Sequence, residues 1–168
     1  KYENPNSALK RILSDIKSSV SIVIPHWNNV DVLSECLESI LNTDFENFET
    51  IVVDNASTDN SVASVRSNYP NVKLIENDKN YGYAGGCNIG AEAASGDFLI
   101  FLNNDTVQEK DWISNLIKTI NSDDKIAAVQ PKILNYYDRN VFDYAGGSGG
   151  HMDIYCFPFA RGRIFSFQ

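Results

Sequence analysis

Short apolar, β-branched runs alternate with helical stripes from Val20 to Val129, and this alternation restricts the fold more than any other feature of the chain. Val20 to Ile24 reads as a first strand, closed by Pro25. Val32, Leu33, Cys36, Leu37, Ile40 and Leu41 then recur at helical spacing. Glu49 to Val53 reads as a second strand, ended by Asp54. Asp59 or Ser61 suits the start of a helix that runs to about Tyr69, where Pro70 stops it. Val72 to Ile75 gives a third strand, and Gly85 to Ala94 suits a helix of small residues ended by Gly96. Phe98 to Leu102 is apolar without alternation, which predicts a strand covered on both faces. Asp111 suits the cap of a helix through about Ile120, and Ile126 to Val129 begins a fifth strand. Strand–helix alternation at these spacings predicts an α/β fold. Its βαβ units and right-handed crossovers build a mostly parallel sheet with helices on both faces.

The flanks differ from this centre. Leu9, Ile12, Leu13 and Ile16 follow helical spacing, so Pro5 to Lys17 reads as a short amphipathic lead-in helix. After about Leu134 the alternation decays, and Tyr136 to Gln168 is rich in aromatics and glycine. Irregular structure with short hairpins is expected there, and Gly146 to Gly150 reads as a mobile loop. The division is a lead-in over 1–18, an α/β domain over 19–134 and a separate region over 135–168.

Composition excludes some partners. A chain of 168 residues, 43% hydrophobic, can bury one sizeable core. Its 14 basic and 22 acidic residues give a formal charge of −8, which argues against nucleic-acid binding. A small phosphorylated ligand is not excluded, since a bound cation supplies positive charge locally. Cys36, Cys87 and Cys156 are odd in number and far apart, so neither a disulfide framework nor a zinc site is suggested. A reduced, cytoplasmic setting follows. No apolar run approaches the roughly 20 residues of a membrane span.

Three strands end in polar residues, at the edge where open α/β sheets bind ligands. The first end is Pro25-His26-Trp27-Asn28-Asn29, which is either an ordinary βα connection or a turn that contacts a base or ribose. The second begins with Asp54, a carboxylate at a strand tip suited to accept a base N–H or a ribose hydroxyl. Ser57, Thr58 and Asp59 after it read as turn and cap residues. The third is Asn103-Asn104-Asp105, where Asp105 is a candidate ligand for Mg²⁺ or Mn²⁺. These ions often take only one or two carboxylates and complete their shell with phosphate and water. Between the second and third ends lies Asn80-Tyr81-Gly82-Tyr83-Ala84-Gly85-Gly86-Cys87-Asn88-Ile89-Gly90. A helix beginning near Gly85 would aim free N–H groups at an anion. Its glycine spacing is not that of a dinucleotide fingerprint.

Together and in order, four runs carry a resemblance. They are Val-Ser-Ile-Val-Ile-Pro-His-Trp-Asn from Val20, Ile-Val-Val-Asp-Asn-Ala-Ser-Thr-Asp from Ile51, the glycine segment from Asn80, and Phe-Leu-Asn-Asn-Asp from Phe101. Over about Ser19 to Leu134 the chain resembles family 2 glycosyltransferases of the GT-A fold, most of all the rhamnosyltransferase-type branch. The resemblance implies a nucleotide-diphosphate sugar donor and a divalent cation. On it, Asp54 contacts the base, and Pro25, His26, Trp27 and Asn28 line the nucleotide. Gly85 and Asn88 lie near the ribose and sugar phosphates. Asn104 and Asp105 belong to the metal motif, with Asp105 the metal ligand and Asn103 in place of the usual first aspartate.

The same resemblance implies inverting transfer to a glycan or lipid-linked acceptor, with 19–134 as the donor-binding domain. The catalytic base of the family stands in a Glu-Asp motif, and the only acidic residue after Asp143 is Asp153. The expectation is therefore a truncated enzyme that binds donor but transfers poorly, with 135–168 the start of an acceptor-side region. A cytoplasmic position at the inner face of a membrane, with peripheral association in the full protein, would suit such an acceptor. A non-catalytic sugar-nucleotide-binding module and a nucleotidyltransferase of similar topology remain as alternatives.

Overall fold

The computed structural model describes residues 18–143 and the short strands Gly150–Met152 and Pro158–Ala160. The elements are β1 (Val20–His26), α1 (Val30–Leu41), β2 (Phe48–Asp54), α2 (Ser61–Asn68), β3 (Lys73–Glu76), α3 (Gly82–Glu92), β4 (Phe98–Phe101) and α4 (Trp112–Ile120). Two further strands, β5 (Gly150–Met152) and β6 (Pro158–Ala160), pair antiparallel. With the isolated antiparallel bridge Leu134↔Phe142, they match the short hairpins expected after Leu134. The lead-in helix over Pro5 to Lys17 and most of the Gly146 to Gly150 loop lie outside the described residues.

The first four strands form one parallel sheet in the order β3-β2-β1-β4. The chain builds outward from β1 through β2 to β3, then returns to the other side of β1 with β4. The order therefore reverses between β1 and β4, and the crevice at such a switch point is where open α/β sheets hold ligands.

Strand parity sorts the core. Val20, Ile22 and Ile24 of β1 and Val52 of β2 face α1, α2 and α4, burying Leu33, Leu37, Ile40, Val65, Ile113 and Ile117. Each such side chain contributes about 1.5–3 kcal/mol on leaving water. Val23, Ile51 and Val53 face the other way, beneath α3. Helices thus cover both faces, as the alternation predicts.

Pro25 does not close β1 but continues it, paired with Val53. Odd residues of β1 hydrogen-bond toward β4: Ser19 and Val23 carbonyls accept from Phe98 and Leu102. The β1–β4 ladder stops at Val23↔Phe101, so the missing N–H of Pro25 falls where no strand remains to receive it.

Two strand expectations fail. Among the described residues β4 lies at the edge of the sheet, with Leu99 45% and Phe101 48% exposed, and is not a strand covered on both faces. Phe98 and Ile100 pack toward α4, whereas α3 lies mainly over β1 and β2 and leaves the opposite face of β4 exposed. Ile126 to Val129 forms no strand. It borders, with β4 and α4, a groove of about 1080 Å³. Its two alanines give a pleated surface little to pack against.

Candidate functional site

The carboxyl ends of β1, β2 and β4 and the start of α3 converge on one edge of the sheet. The β1–β2 ladder runs past the strands, because the Asn55 N–H donates to the His26 carbonyl at 2.8 Å. The loop after β1 then turns through two left-handed residues, Asn28 (φ 58) and Asn29 (φ 69), a conformation asparagine tolerates. Asn28 is tied to the second strand end twice. Its N–H donates to Ser57 Oγ and its Oδ1 accepts from the Thr58 N–H, both at 2.8 Å. Asn29 caps α1, accepting from the Val32 N–H, while the Val30 N–H donates to Asp59 Oδ2.

Asp54 is the centre of this edge. It is 3% exposed, and its Oδ2 accepts from the Ser57 N–H at 2.9 Å. Its Oδ1 is buried and has no hydrogen-bond partner among the described residues. Buried polar atoms are nearly always paired, so an orphaned carboxylate oxygen at a sheet edge calls for a donor from outside the protein. The loop that follows passes through Ala56 at φ 60, a left-handed conformation costly for a residue with a Cβ.

α3 begins at Gly82, three residues earlier than the sequence reading. Gly85 therefore lies inside the first turn and not at its mouth. Gly82 takes φ 72 and an N–H bond to Asn80 Oδ1 at 2.7 Å. Gly86 and Gly90 serve packing. A Cβ on Gly86 would fall 2.9 Å from Pro25 Cβ, and one on Gly90 2.2 Å from Val23 Cγ1. These two residues, one turn apart, let α3 lie directly on β1. A Cβ on Gly85 would meet Tyr81 Cβ at 2.7 Å, and Asn88 is exposed one turn further along.

Asn55 was not singled out by sequence, yet it ties the site together. It is 3% exposed. Its Nδ2 donates to the Gly82 carbonyl at 3.2 Å, and its Oδ1 accepts from Asn77 Nδ2 and the Tyr81 N–H. The only signal available was an amide directly after a strand-ending aspartate.

The four nucleotide-loop candidates divide by depth. Pro25 is buried under α3, Trp27 is 56% exposed at the rim, and Asn28 is half-buried. His26 is 1% exposed and lies beneath the site surface, with both ring nitrogens engaged by Ser61 and Asn104. It is held as the neutral ring, because burial lowers its pKa more than Asp54 and Asp59 raise it.

At the third strand end Asn104 hydrogen-bonds His26, while Asp105 is exposed and makes no hydrogen bond to a described residue. Asp105 stands close to α3. Burial, then Cys87, then Asp105 push the Tyr83 phenol up. Below it, burial pushes the Cys36 thiol to about 11, so this cysteine stays protonated. Among the described residues no three His, Cys, Asp or Glu side chains cluster as a metal cage. One exposed carboxylate without a hydrogen-bond partner among the described residues fits Mg²⁺ or Mn²⁺, ions that often take only one or two carboxylates and complete their shell with phosphate and water.

A parallel sheet with its polar residues gathered at the carboxyl ends beside a switch point defines a ligand-binding α/β domain, and its likeness to solved structures of the GT-A fold gives the type. The model of glycosyl transferase family 2 matches residues 21–156, and the chain belongs to that family. It is 29% identical over 136 residues to glycosyltransferase GlyG of Streptococcus pneumoniae serotype 4, covering 76% of this chain and 44% of that protein. It is 31% identical over 124 residues to a Methanococcus voltae dolichyl N-acetyl-alpha-D-glucosaminyl phosphate 3-beta-D-2,3-diacetamido-2,3-dideoxy-beta-D-glucuronosyltransferase, covering 68% and 36%. The crystal structure of S. aureus TarS 1-349 in complex with UDP superposes with a TM-score of 0.57 at 27% identity, covering 61% and 32%. The chain spans less than half the length of these relatives. No helix among the described residues is long and apolar enough to cross a membrane.

Proposed function

We propose that residues 19–134 form the donor-binding domain of an inverting glycosyltransferase that takes its sugar from a nucleoside diphosphate. The observation that carries this reading is the buried, unpartnered Oδ1 of Asp54. A nucleobase N–H would satisfy it, and a charge-assisted bond there rewards the correct base. TarS, similar in sequence and fold, is described bound to UDP, which supports a nucleoside diphosphate as the ligand class.

In this reading each strand end has its own task. Trp27 at the rim offers an aromatic face, and Asn28 and Ser57 lock the first loop to the second. Gly85 and Asn88 face the ribose and sugar phosphates along α3. Asn104 and Asp105 take the diphosphate end, with Asp105 holding a divalent cation. That ion, when bound, supplies positive charge where the leaving diphosphate becomes more negative. Positioning and electrostatics thus supply the donor's half of the reaction. The acceptor is a glycan or lipid-linked glycan at the inner face of a membrane, engaged by the region from 135 onward and by parts of a longer protein that also bring the base.

Calorimetric titration with UDP, GDP and dTDP, each with and without Mn²⁺, tests this. At least one should bind, Mn²⁺ should tighten it, and Asp105→Ala should remove the Mn²⁺ effect alone. If none binds, or if binding ignores both Mn²⁺ and Asp105→Ala, the reading is wrong.

A further inference from the structure

His26 is fully buried, uncharged and tied at both ends, and the strand order gives those ties a meaning. β1 and β4 flank the point where the sheet reverses, and β1 ends at His26 while Asn104 follows β4. Their ladder stops at Val23↔Phe101, with the Leu102 N–H to the Val23 carbonyl as its last bond. Beyond that point, side chains must hold the two strand ends together. Asn104 Nδ2 lies 2.9 Å from His26 Nδ1, and His26 Nε2 lies 2.9 Å from Ser61 Oγ.

One proton arrangement satisfies the whole chain of bonds. The single hydroxyl proton of Ser61 goes to Asp59 Oδ1 at 2.5 Å. Ser61 Oγ can then only accept, so His26 Nε2 carries the ring proton. The neutral ring leaves Nδ1 as an acceptor, and Asn104 must turn its NH₂ group toward it. Asp59 is fixed in turn by the Ser61 and Val30 N–H groups at 3.0 Å each. The orientation of the Asn104 amide is therefore dictated from the start of α2, through a ring buried beneath the surface of the site.

We propose that His26 is a positioning residue that sets the Asn103–Asp105 turn, and so the cation end of the site, by accepting from Asn104 at Nδ1 while Ser61 and Asp59 fix its tautomer. This rests on the donor-site reading above. An imidazole suits the task because it links two groups at a fixed angle without rotatable atoms between them. An aliphatic residue of similar size would fill the space and leave Asn104 undirected.

Two substitutions separate the two ring nitrogens. His26→Asn places an amide oxygen near Nδ1, keeping the acceptor for Asn104 and dropping Ser61. His26→Gln reaches toward Nε2, keeping Ser61 and dropping Asn104. The readout is the ratio of UDP, GDP or dTDP affinity with Mn²⁺ to that without it, which a general loss of packing would not move. His26→Asn should keep that ratio within about threefold, and His26→Gln should lower it about tenfold with metal-free affinity little changed, equivalent to about 1.4 kcal/mol. Equal ratios in the two variants would overturn the proposal. The Asn104 side-chain amide resonances, recorded without ligand, give an independent check. They should shift strongly in His26→Gln and little in His26→Asn. If the wild type binds no nucleotide but this pattern holds, the donor reading falls and the positioning role stands. If nucleotides bind and the pattern fails, the positioning role falls.

Discussion

Replacing Asp54 by Asn should move stability and binding in opposite directions. In the free protein the carboxylate is 3% exposed, with one oxygen bonded to the Ser57 N–H at 2.9 Å and the other unpaired. An unsatisfied buried group costs about 1–3 kcal/mol, and more when it is charged. Asn keeps an oxygen for Ser57 and exchanges a charged orphan for a neutral one, so the free protein should gain about 1 kcal/mol, allowing for a weaker Ser57 bond. For a chain of this size that is a rise of about 2–4 °C in Tm. Binding should suffer. The base loses a charged acceptor worth about 1.5–3 kcal/mol. It also meets an NH₂ group where it needs an oxygen, so nucleotide affinity should fall about ten- to hundredfold. Urea denaturation without ligand and calorimetry with the bound nucleoside diphosphate measure the two effects. A variant less stable by 1 kcal/mol or more, with unchanged affinity, would show that Oδ1 is not the atom a base satisfies.

Gly90→Ala should destabilise by about 2 kcal/mol in urea denaturation, because overpacking costs up to about 3 kcal/mol and the helical gain returns about 1. Its Cβ would lie 2.2 Å from Val23 Cγ1, a fully buried β-branched side chain that cannot rotate away, so Val23→Ala should recover part of the loss. Stability should also fall as the solution is acidified from about pH 6.5. The unfolded chain then binds a proton at residue 26 that the folded chain refuses, because burial holds the folded His26 pKa below its ordinary value. His26→Asn should flatten that segment of the stability–pH curve relative to wild type, and an identical curve would refute it. Ala56→Gly should stabilise by about 0.5 kcal/mol, since relief of the left-handed strain at φ 60 outweighs the greater freedom of the unfolded chain. A loss of 1 kcal/mol or more would mean the turn is not strained.

The sequence made the βαβ order, the parallel sheet and the polar strand ends legible because each depends on local periodicity. Val20 to Ile24 and Val32 to Leu41 carry their period in adjacent residues, and both appear as β1 and α1. What escaped depends on neighbours. Whether Leu99 and Phe101 are covered turns on how far α3 reaches, and no residue in β4 reports that. Ile126 to Val129 has strand composition but wins no partner. Glycine permits both close ligand approach and close packing, so the glycine segment could not be divided by sequence; the distances from Gly86 and Gly90 to Pro25 and Val23 assign these two to packing. At the site, Asp54 and Asp105 were visible as charges at strand tips. The buried work of His26 and Asn55 was not, since a partner 78 residues away in the chain leaves no local pattern.

The ladder pairing His26 with Asp54 means that the site is gauged by counting residues along two strands and not by the shapes of its loops. The connections at the opposite edge of the sheet, from each helix to the next strand, are free to drift in length over evolutionary time, because they enter neither that count nor the bonds between Asn28 and Ser57. A single residue inserted or deleted within β1 or β2 is another matter. It would invert every side chain beyond it, sending His26 toward α3 and Pro25 toward α2, and would offset Asp54 from its neighbour by one position. Change in this family should therefore accumulate as substitutions within strands of fixed length and as insertions between them. A chimera that exchanges whole βα units at the strand beginnings should keep the alignment of the two ends, whereas one joined mid-strand with a one-residue offset should lose it.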